Sequence, residues 1–184
     1  DGMGLNVLLR NYWMVIHPPV LFLGFALTIV PFGFAYGGLA KKRFGEWIKA
    51  ALPWTLAATC ILGVGIMMGG KWAYESLSFG GYWAWDPVEN ASLVPWMILV
   101  AALHTMLVYK HTGHSLRATY LFVILAFVFV LYSTFLTKTG VLGEASVHSF
   151  TDPGKAINIM ITLFLASFTL GGLGLFLANF KKIP

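Results

Sequence analysis

Five histidines punctuate this chain, at positions 17, 104, 111, 114 and 148, and between the first two lies GGYWAWDPVENASLVPW, residues 80–96. Imidazoles ligate transition metals and haem iron, and they move protons near neutral pH. Two carboxylates spaced like Asp86 and Glu89 can work as acid and base, or can cap a helix start. Rings as crowded as Trp72, Tyr74, Phe79, Tyr82, Trp83 and Trp85 can hold a large flat ligand, or can sit as a belt at a membrane interface. Which chemistry applies depends on where the chain carries these groups.

The chain of 184 residues is 58% hydrophobic and only 10% charged, with a mean hydropathy of +0.78. Soluble domains carry roughly 25% charged residues, so the composition indicates a membrane protein. Five uncharged runs, 18–40, 50–70, 91–109, 118–137 and 156–180, are close to or beyond the ~20 residues a spanning helix needs. An all-α, polytopic bundle of about five spans follows, forming one domain over 1–184 with an aromatic loop at about 71–90. Residues 5–16 mix apolar and polar positions and suit a short interfacial helix. The start, DGMGLNVLLRNYW, has neither an initiating Met nor a basic leader, so the chain reads as part of a longer protein. A single cysteine, Cys60, in an apolar run excludes a disulfide framework and a CxxCH haem attachment site.

Basic residues orient the bundle. Lys41, Lys42, Arg43, Lys49, Lys110, Arg117, Lys181 and Lys182 fall in one set of alternate loops; Arg10, Lys71, Lys138 and Lys155 fall in the other. The richer set belongs in the cytoplasm by the positive-inside rule. The net charge of +5 therefore reflects topology and does not signal a nucleic-acid partner. This orientation puts His17, the aromatic loop and His148 on the same outer face, although His148 is far from His17 in sequence.

Asp86-Pro87-Val88-Glu89 has the form of a helix start, with Asp86 at the N-cap, Pro87 first in the helix and Glu89 at N3. Asp152-Pro153 repeats the device before the fifth run. Trp47, Trp54 and Trp96 need no more than an interfacial belt; the dense outer loop, loosened by Gly80 and Gly81, suits belt and ligand platform equally. His111 and His114 read as solvated turn residues. His104 interrupts an apolar span, roughly 7–8 Å from its end at Tyr109 at 1.5 Å per residue. Such a group usually faces the bundle interior, either hydrogen-bonded to a neighbouring helix or ligating a metal or haem. His17 and His148, flanking the aromatic loop, match bis-imidazole ligation of haem iron; zinc lacks a third and fourth ligand.

GGYWAWDPVENASLVPW resembles the tryptophan-rich "WWD" signature of haem-handling membrane proteins, and its WDPVENAS…PW form resembles the CcmF family of cytochrome c biogenesis. IHPPVLFLGF at 16–25, ALPWTLAA at 51–58, WAYESLSFGG at 72–81 and TFLTKTGVLGEASVHSF at 134–150 are similar to that family too. The resemblance implies a haem-binding platform of Trp72, Gly80, Gly81, Tyr82, Trp83, Trp85, Asp86, Glu89 and Asn90, with His17 and His148 as axial ligands of an outer haem. It also implies that His104 ligates a second, b-type haem whose partner histidine lies in a part of the family absent from this chain. Lys138 stands where TFLVRSG would have arginine, keeping the charge without the bidentate fork. The implied protein is a subunit of a cytochrome c haem lyase (holocytochrome c synthetase) complex in the bacterial inner membrane. Its haem site faces the periplasm, and its partners are a haem chaperone, apocytochrome c and further lyase subunits. A haem exporter or delivery module of the same superfamily, or a proton-coupled transporter fragment, are the alternatives.

Overall fold

A backbone surrounded by lipid has no water to bond, so apolar runs of this length close their hydrogen bonds within helices. The computed structural model describes residue 4 and residues 10–76, 81–146 and 151–184; Phe79, Gly80 and His148 lie outside the described residues. Six helices follow in order: α1 (Tyr12–Leu27), α2 (Ile29–Ala40), α3 (Ile48–Ser76), α4 (Pro87–Thr112), α5 (Leu116–Lys138) and α6 (Lys155–Asn179), with a short 3-10 turn at Gly143–Ala145. Because α1 and α2 run on as one stretch, Tyr12–Ala40, five stretches among the described residues are long and apolar enough to cross a membrane.

The first four spans are longer than their uncharged runs. The first begins at Tyr12, so residues 12–16 continue into it instead of forming a separate interfacial helix, and His17 lies within α1. Asn11 caps this start by accepting from the Trp13 amide at 2.8 Å. The break at Thr28 has a local cause: Pro31 has no N–H to give the Leu27 carbonyl, and its ring crowds the same oxygen. The second span continues through Lys71 to Ser76, so Trp72 and Tyr74 stand on a helix, not in the loop expected from residue 71.

Small residues set the closest helix crossing. A methyl on Gly24 of α1 would lie 2.6 Å from the Leu62 Cα, and one on Gly65 of α3 would lie 2.8 Å from the Leu21 Cα. These glycines let the α1 and α3 backbones touch, the packing that substitutes for hydrophobic drive between helices in lipid. Buried Thr55, Thr59 and Thr119 bond one turn back, to the carbonyls of Ala51, Thr55 and Ser115.

One core cluster joins Phe32, Phe127 and Phe168, with ring centroids 4.8–5.8 Å apart, and continues from them to the end carrying most lysines, here the basic end. There the Trp47 indole and the Tyr120 hydroxyl both donate to the Phe44 carbonyl, at 2.9 and 2.8 Å. A second cluster, including Phe25, Leu62, Leu99 and Val130, lies closer to the aromatic signature. Trp47 is buried and Trp96 donates to the Thr59 carbonyl at 3.0 Å. Neither is therefore a belt residue, while exposed Trp54 fits that role.

A candidate haem cleft at the signature end

The end of the bundle opposite the basic one, here the signature end, gathers the start of α1, the end of α3, the start of α4 and the end of α5. Between them opens a cleft of about 430 Å³ lined by residues that include His17, Leu21, Phe22, Trp72, Trp83, Glu89, Thr137 and Lys138. That volume lies within the roughly 300–1,000 Å³ of ordinary ligand pockets, and the mix of an apolar lining with a few converging polar groups is their usual chemistry.

His17 is held before any ligand arrives. Its Nδ1 lies 2.7 Å from the Gly65 carbonyl oxygen. A carbonyl only accepts, so in the neutral ring Nδ1 carries the proton and Nε2 carries the lone pair, the tautomer a metal ligand needs. The imidazole sits over Gly69, where a methyl would come within 2.6 Å of Cε1. Trp72, buried on α3, stacks beside it at 6.5 Å.

The start of α1 is tied to the end of α3 through Glu75. Its carboxylate accepts from Asn11 Nδ2 at 3.0 Å and from Trp13 Nε1 at 3.3 Å, and pairs with Lys71 at 3.0 Å. This clasp lies roughly one to two turns before His17 along α1.

The signature itself folds as its spacing predicts. Asp86 Oδ1 accepts from the Val88 amide at 2.8 Å and the Glu89 amide at 3.4 Å, while Glu89 Oε2 accepts from the Asp86 amide at 3.4 Å. With Pro87 at the first helical position this completes the capping box. Glu89 also accepts from the Ala84 amide at 3.1 Å, and Asn90 Nδ2 donates to the Trp85 carbonyl at 3.1 Å. Two positions have left-handed backbone: Gly81 at φ +117° and Trp85 at φ +58°. For a residue as bulky as Trp85 that conformation is a true outlier, and it throws the indole outward, 72% exposed.

Among the described residues the signature rings are not coplanar. Tyr82 covers Gly70, where a methyl would lie 2.5 Å from Cε1, and its hydroxyl donates to the Met67 carbonyl at 3.0 Å. Trp83 turns into the cleft and meets Trp85 edge-on, at 6.2 Å and 89°. The Trp83 indole N–H is buried with no hydrogen-bond partner. Such a donor costs roughly 1–3 kcal/mol when left unsatisfied, so a ligand with an acceptor has something to gain there.

The loop after α5 reaches the signature through Ser146, which donates to Asp86 Oδ1 at 2.7 Å. This contact is two residues before His148. Asp152 does not cap α6 as the sequence pattern suggested. Gly154, at φ +96°, is the N-cap, and Asp152 instead accepts from the Gly154 amide at 2.9 Å and Asn158 Nδ2 at 2.8 Å. The left-handed φ needed for the chain to enter α6 suits glycine and moves the cap two residues on.

His104 is not part of the cleft. It lies on the exposed face of α4, contrary to the inward orientation expected, with Nδ1 2.7 Å from the Val100 carbonyl. Since α4 runs to Thr112, the side chain is about 12 Å from the helix end, deeper than a span ending at Tyr109 implied. His111 and His114 are exposed at the basic end.

Several site residues went unnoticed in the sequence: Gly69 and Gly70 as seats for rings, Glu75 as the clasp, and Ser146 as the tie between loops. One signal was available, since Gly65 and Gly69 form a small-xxx-small pair within an apolar span.

Comparison with known proteins decides the family. The family model described as Cytochrome C assembly protein matches residues 1–142. The chain belongs to the cytochrome c assembly protein family. It is 42% identical, over its whole length, to the cytochrome c-type biogenesis protein ccl1 of Rhodobacter capsulatus, of which it covers 28%. It is 39% identical to CcmF of Escherichia coli, again over its whole length and 28% of the relative. CcmF of Pseudomonas aeruginosa is 42% identical over 90% of this chain and 25% of its own. Among solved structures, the cytochrome c haem lyase CcmF superposes with a TM-score of 0.74 at 38% identity, covering 91% of this chain and 26% of that one. The chain thus spans about a quarter of the length of its relatives. It is a multi-pass membrane chain of this family, similar along its length to CcmF proteins.

Proposed function

We propose that the signature-end cleft binds haem as a substrate and presents it for covalent attachment to the CxxCH segment of an apocytochrome c. The observation that carries this reading is His17: an imidazole whose Nδ1 is bonded to the Gly65 carbonyl, in an apolar, tryptophan-lined cleft. The donor set fits the group. A neutral nitrogen lone pair suits haem iron, aromatic walls suit the porphyrin, and the orphaned Trp83 N–H together with Lys138 suits the carboxylates at its edge.

In this reading His17 and His148 would hold the haem iron, and Ser146, bonded to Asp86, ties the chain that follows α5 to the signature. Trp72 and Trp83 wall the cleft, while Tyr82, Gly81 and Asn90 hold the loop in shape; Gly80 precedes them in sequence. Exposed Trp85 offers a surface for the incoming haem chaperone or apocytochrome. The haem supplies vinyl groups, and each cysteine thiol adds across one of them, its sulfur bonding one carbon and its proton going to the other. The protein's part is orientation. His104, on an outward face, would ligate a resident b-type haem together with a histidine from outside this segment, supplying electron transfer. Partners then include the other lyase subunits, and the signature end faces the periplasm across the bacterial inner membrane.

The test is purification at native length followed by haem titration, read at the Soret band. His17→Ala should weaken haem binding at the cleft and His104→Ala should remove a separate signal. Undiminished binding in His17→Ala combined with His148→Ala would refute the cleft. A maturation assay separates attachment from delivery: loss of a lyase leaves apocytochrome unfilled while the chaperone stays loaded, whereas loss of an exporter leaves the chaperone empty.

A further inference from the structure

Away from the signature cleft, a second concavity opens on the side of the bundle, between α2 and α6. It measures about 200 Å³ and is lined by Phe32, Tyr36, Ser167, Phe168, Gly171 and Gly172. The floor exists because two consecutive glycines remove side chains from α6. A methyl on Gly172 would press Phe32 and Ile124 at 3.0 Å, whereas one on Gly171 would find only Tyr36, at 3.9 Å. Gly172 therefore serves packing, and Gly171 leaves open space.

Phe32 and Gly172 stand at one level, and both helices run from there toward the basic end. Lys41 follows nine residues after Phe32, and Lys181 follows nine residues after Gly172, each with a second lysine next to it. At about 1.5 Å per residue the lysines lie roughly 14 Å below the groove, close to the hydrocarbon depth of one leaflet of a ~30 Å bilayer core. Lys41, Lys42, Lys181 and Lys182 are all exposed. The carboxylate nearest in sequence, Glu46, is paired with Arg43.

We infer that this is a binding site for an anionic glycerophospholipid of the basic-end leaflet, its phosphate among the four lysines and one acyl chain in the groove beside Gly171. Charge complementarity selects the headgroup, since basic clusters between helix ends attract anionic lipid. The spacing selects a lipid over a soluble anion, because only an amphiphile of that length reaches both the lysines and the groove. The site is independent of the haem reading.

Native mass spectrometry of the protein, purified at native length from bacterial membranes in mild detergent, tests it. Phosphatidylglycerol and cardiolipin should be retained over phosphatidylethanolamine. Lys181→Gln with Lys182→Gln should lower anionic-lipid occupancy about tenfold or more and leave the zwitterionic lipid unchanged. Gly171→Leu, or Ser167→Leu if that variant fails to fold, should displace the same lipid with every lysine present. Loss with the lysine variant but not with either groove variant would mean diffuse surface attraction and would overturn the site. Retention of the lipid in a groove variant that instead loses a protein subunit would assign the groove to helix packing, and would overturn it equally.

Discussion

Gly69→Ala adds one methyl and makes a sharp test of how the cleft holds His17. The new carbon would lie 2.6 Å from His17 Cε1 and 3.0 Å from both ring nitrogens. Relaxing that to the roughly 3.5–4.0 Å of an ordinary contact requires the imidazole to move by about 1 Å. The ring has little room, with Gly65 on one side and Trp72 beside it. A 1 Å retreat from the 2.7 Å bond to the Gly65 carbonyl exceeds the ~3.2 Å limit of a good N–H···O bond. Losing a bond that orients a metal-ligating histidine typically costs 10–100-fold in affinity. Alanine is meanwhile the better helix former by about 0.8–1.0 kcal/mol, so the fold should suffer little. The expected result is haem affinity weakened about 10–100-fold, measured by Soret titration, with a thermal melt close to that of the parent. Gly33→Ala, where a methyl meets nothing within 4 Å, is the control. Parental affinity and an unshifted Soret band in Gly69→Ala would refute His17 as the ligand.

Asp86→Ala should cost about 2 kcal/mol, an N-cap worth ~1 and the bond from Ser146 worth ~1; Asp86→Asn should recover most of it in denaturant titration. Gly24→Ala meets Leu62 backbone that cannot step aside, so a loss of about 1–3 kcal/mol from overpacking is expected by thermal melting, against none for Gly33→Ala. Glu75→Ala removes the acceptor shared by Asn11, Trp13 and Lys71. Hydrogen exchange at the first turn of α1 should quicken, and haem affinity should fall by less than in Gly69→Ala. An unchanged exchange rate would show that the clasp does not hold α1.

Much of the architecture was already legible in the residues. Apolar runs of about 20 residues close their hydrogen bonds as helices in lipid, so five runs meant five spans among the described residues, and alternation along the chain sorted the loops between two ends. The capping box at Asp86 was equally plain, because its bonds join residues no more than three apart. The same local reasoning failed at Asp152, where a glycine with left-handed backbone shifted the cap, and at Trp72, where the helix outran the apolar run. It failed at Trp47 because the turn before α3 folds that indole against Tyr120, and at Trp96 and His104, both on α4, for a different reason. In a span apolar on every side the sequence carries almost no signal of which face turns inward, so the rotation of each helix is settled by packing against its neighbours.

What the sequence determined by itself was therefore local or compositional: the number of spans, their ends to within six residues, and the arrival of His17 and the signature at one end of the bundle. The tertiary structure decided what those residues meet. Gly69 seats an imidazole because α3 crosses α1 at backbone contact, Gly70 seats a phenol because Tyr82 folds back onto the end of α3, and Trp83 enters the cleft while Trp85 leaves it. These outcomes depend on helix rotation and crossing, which are fixed by contacts between residues dozens of positions apart and by no short stretch of chain.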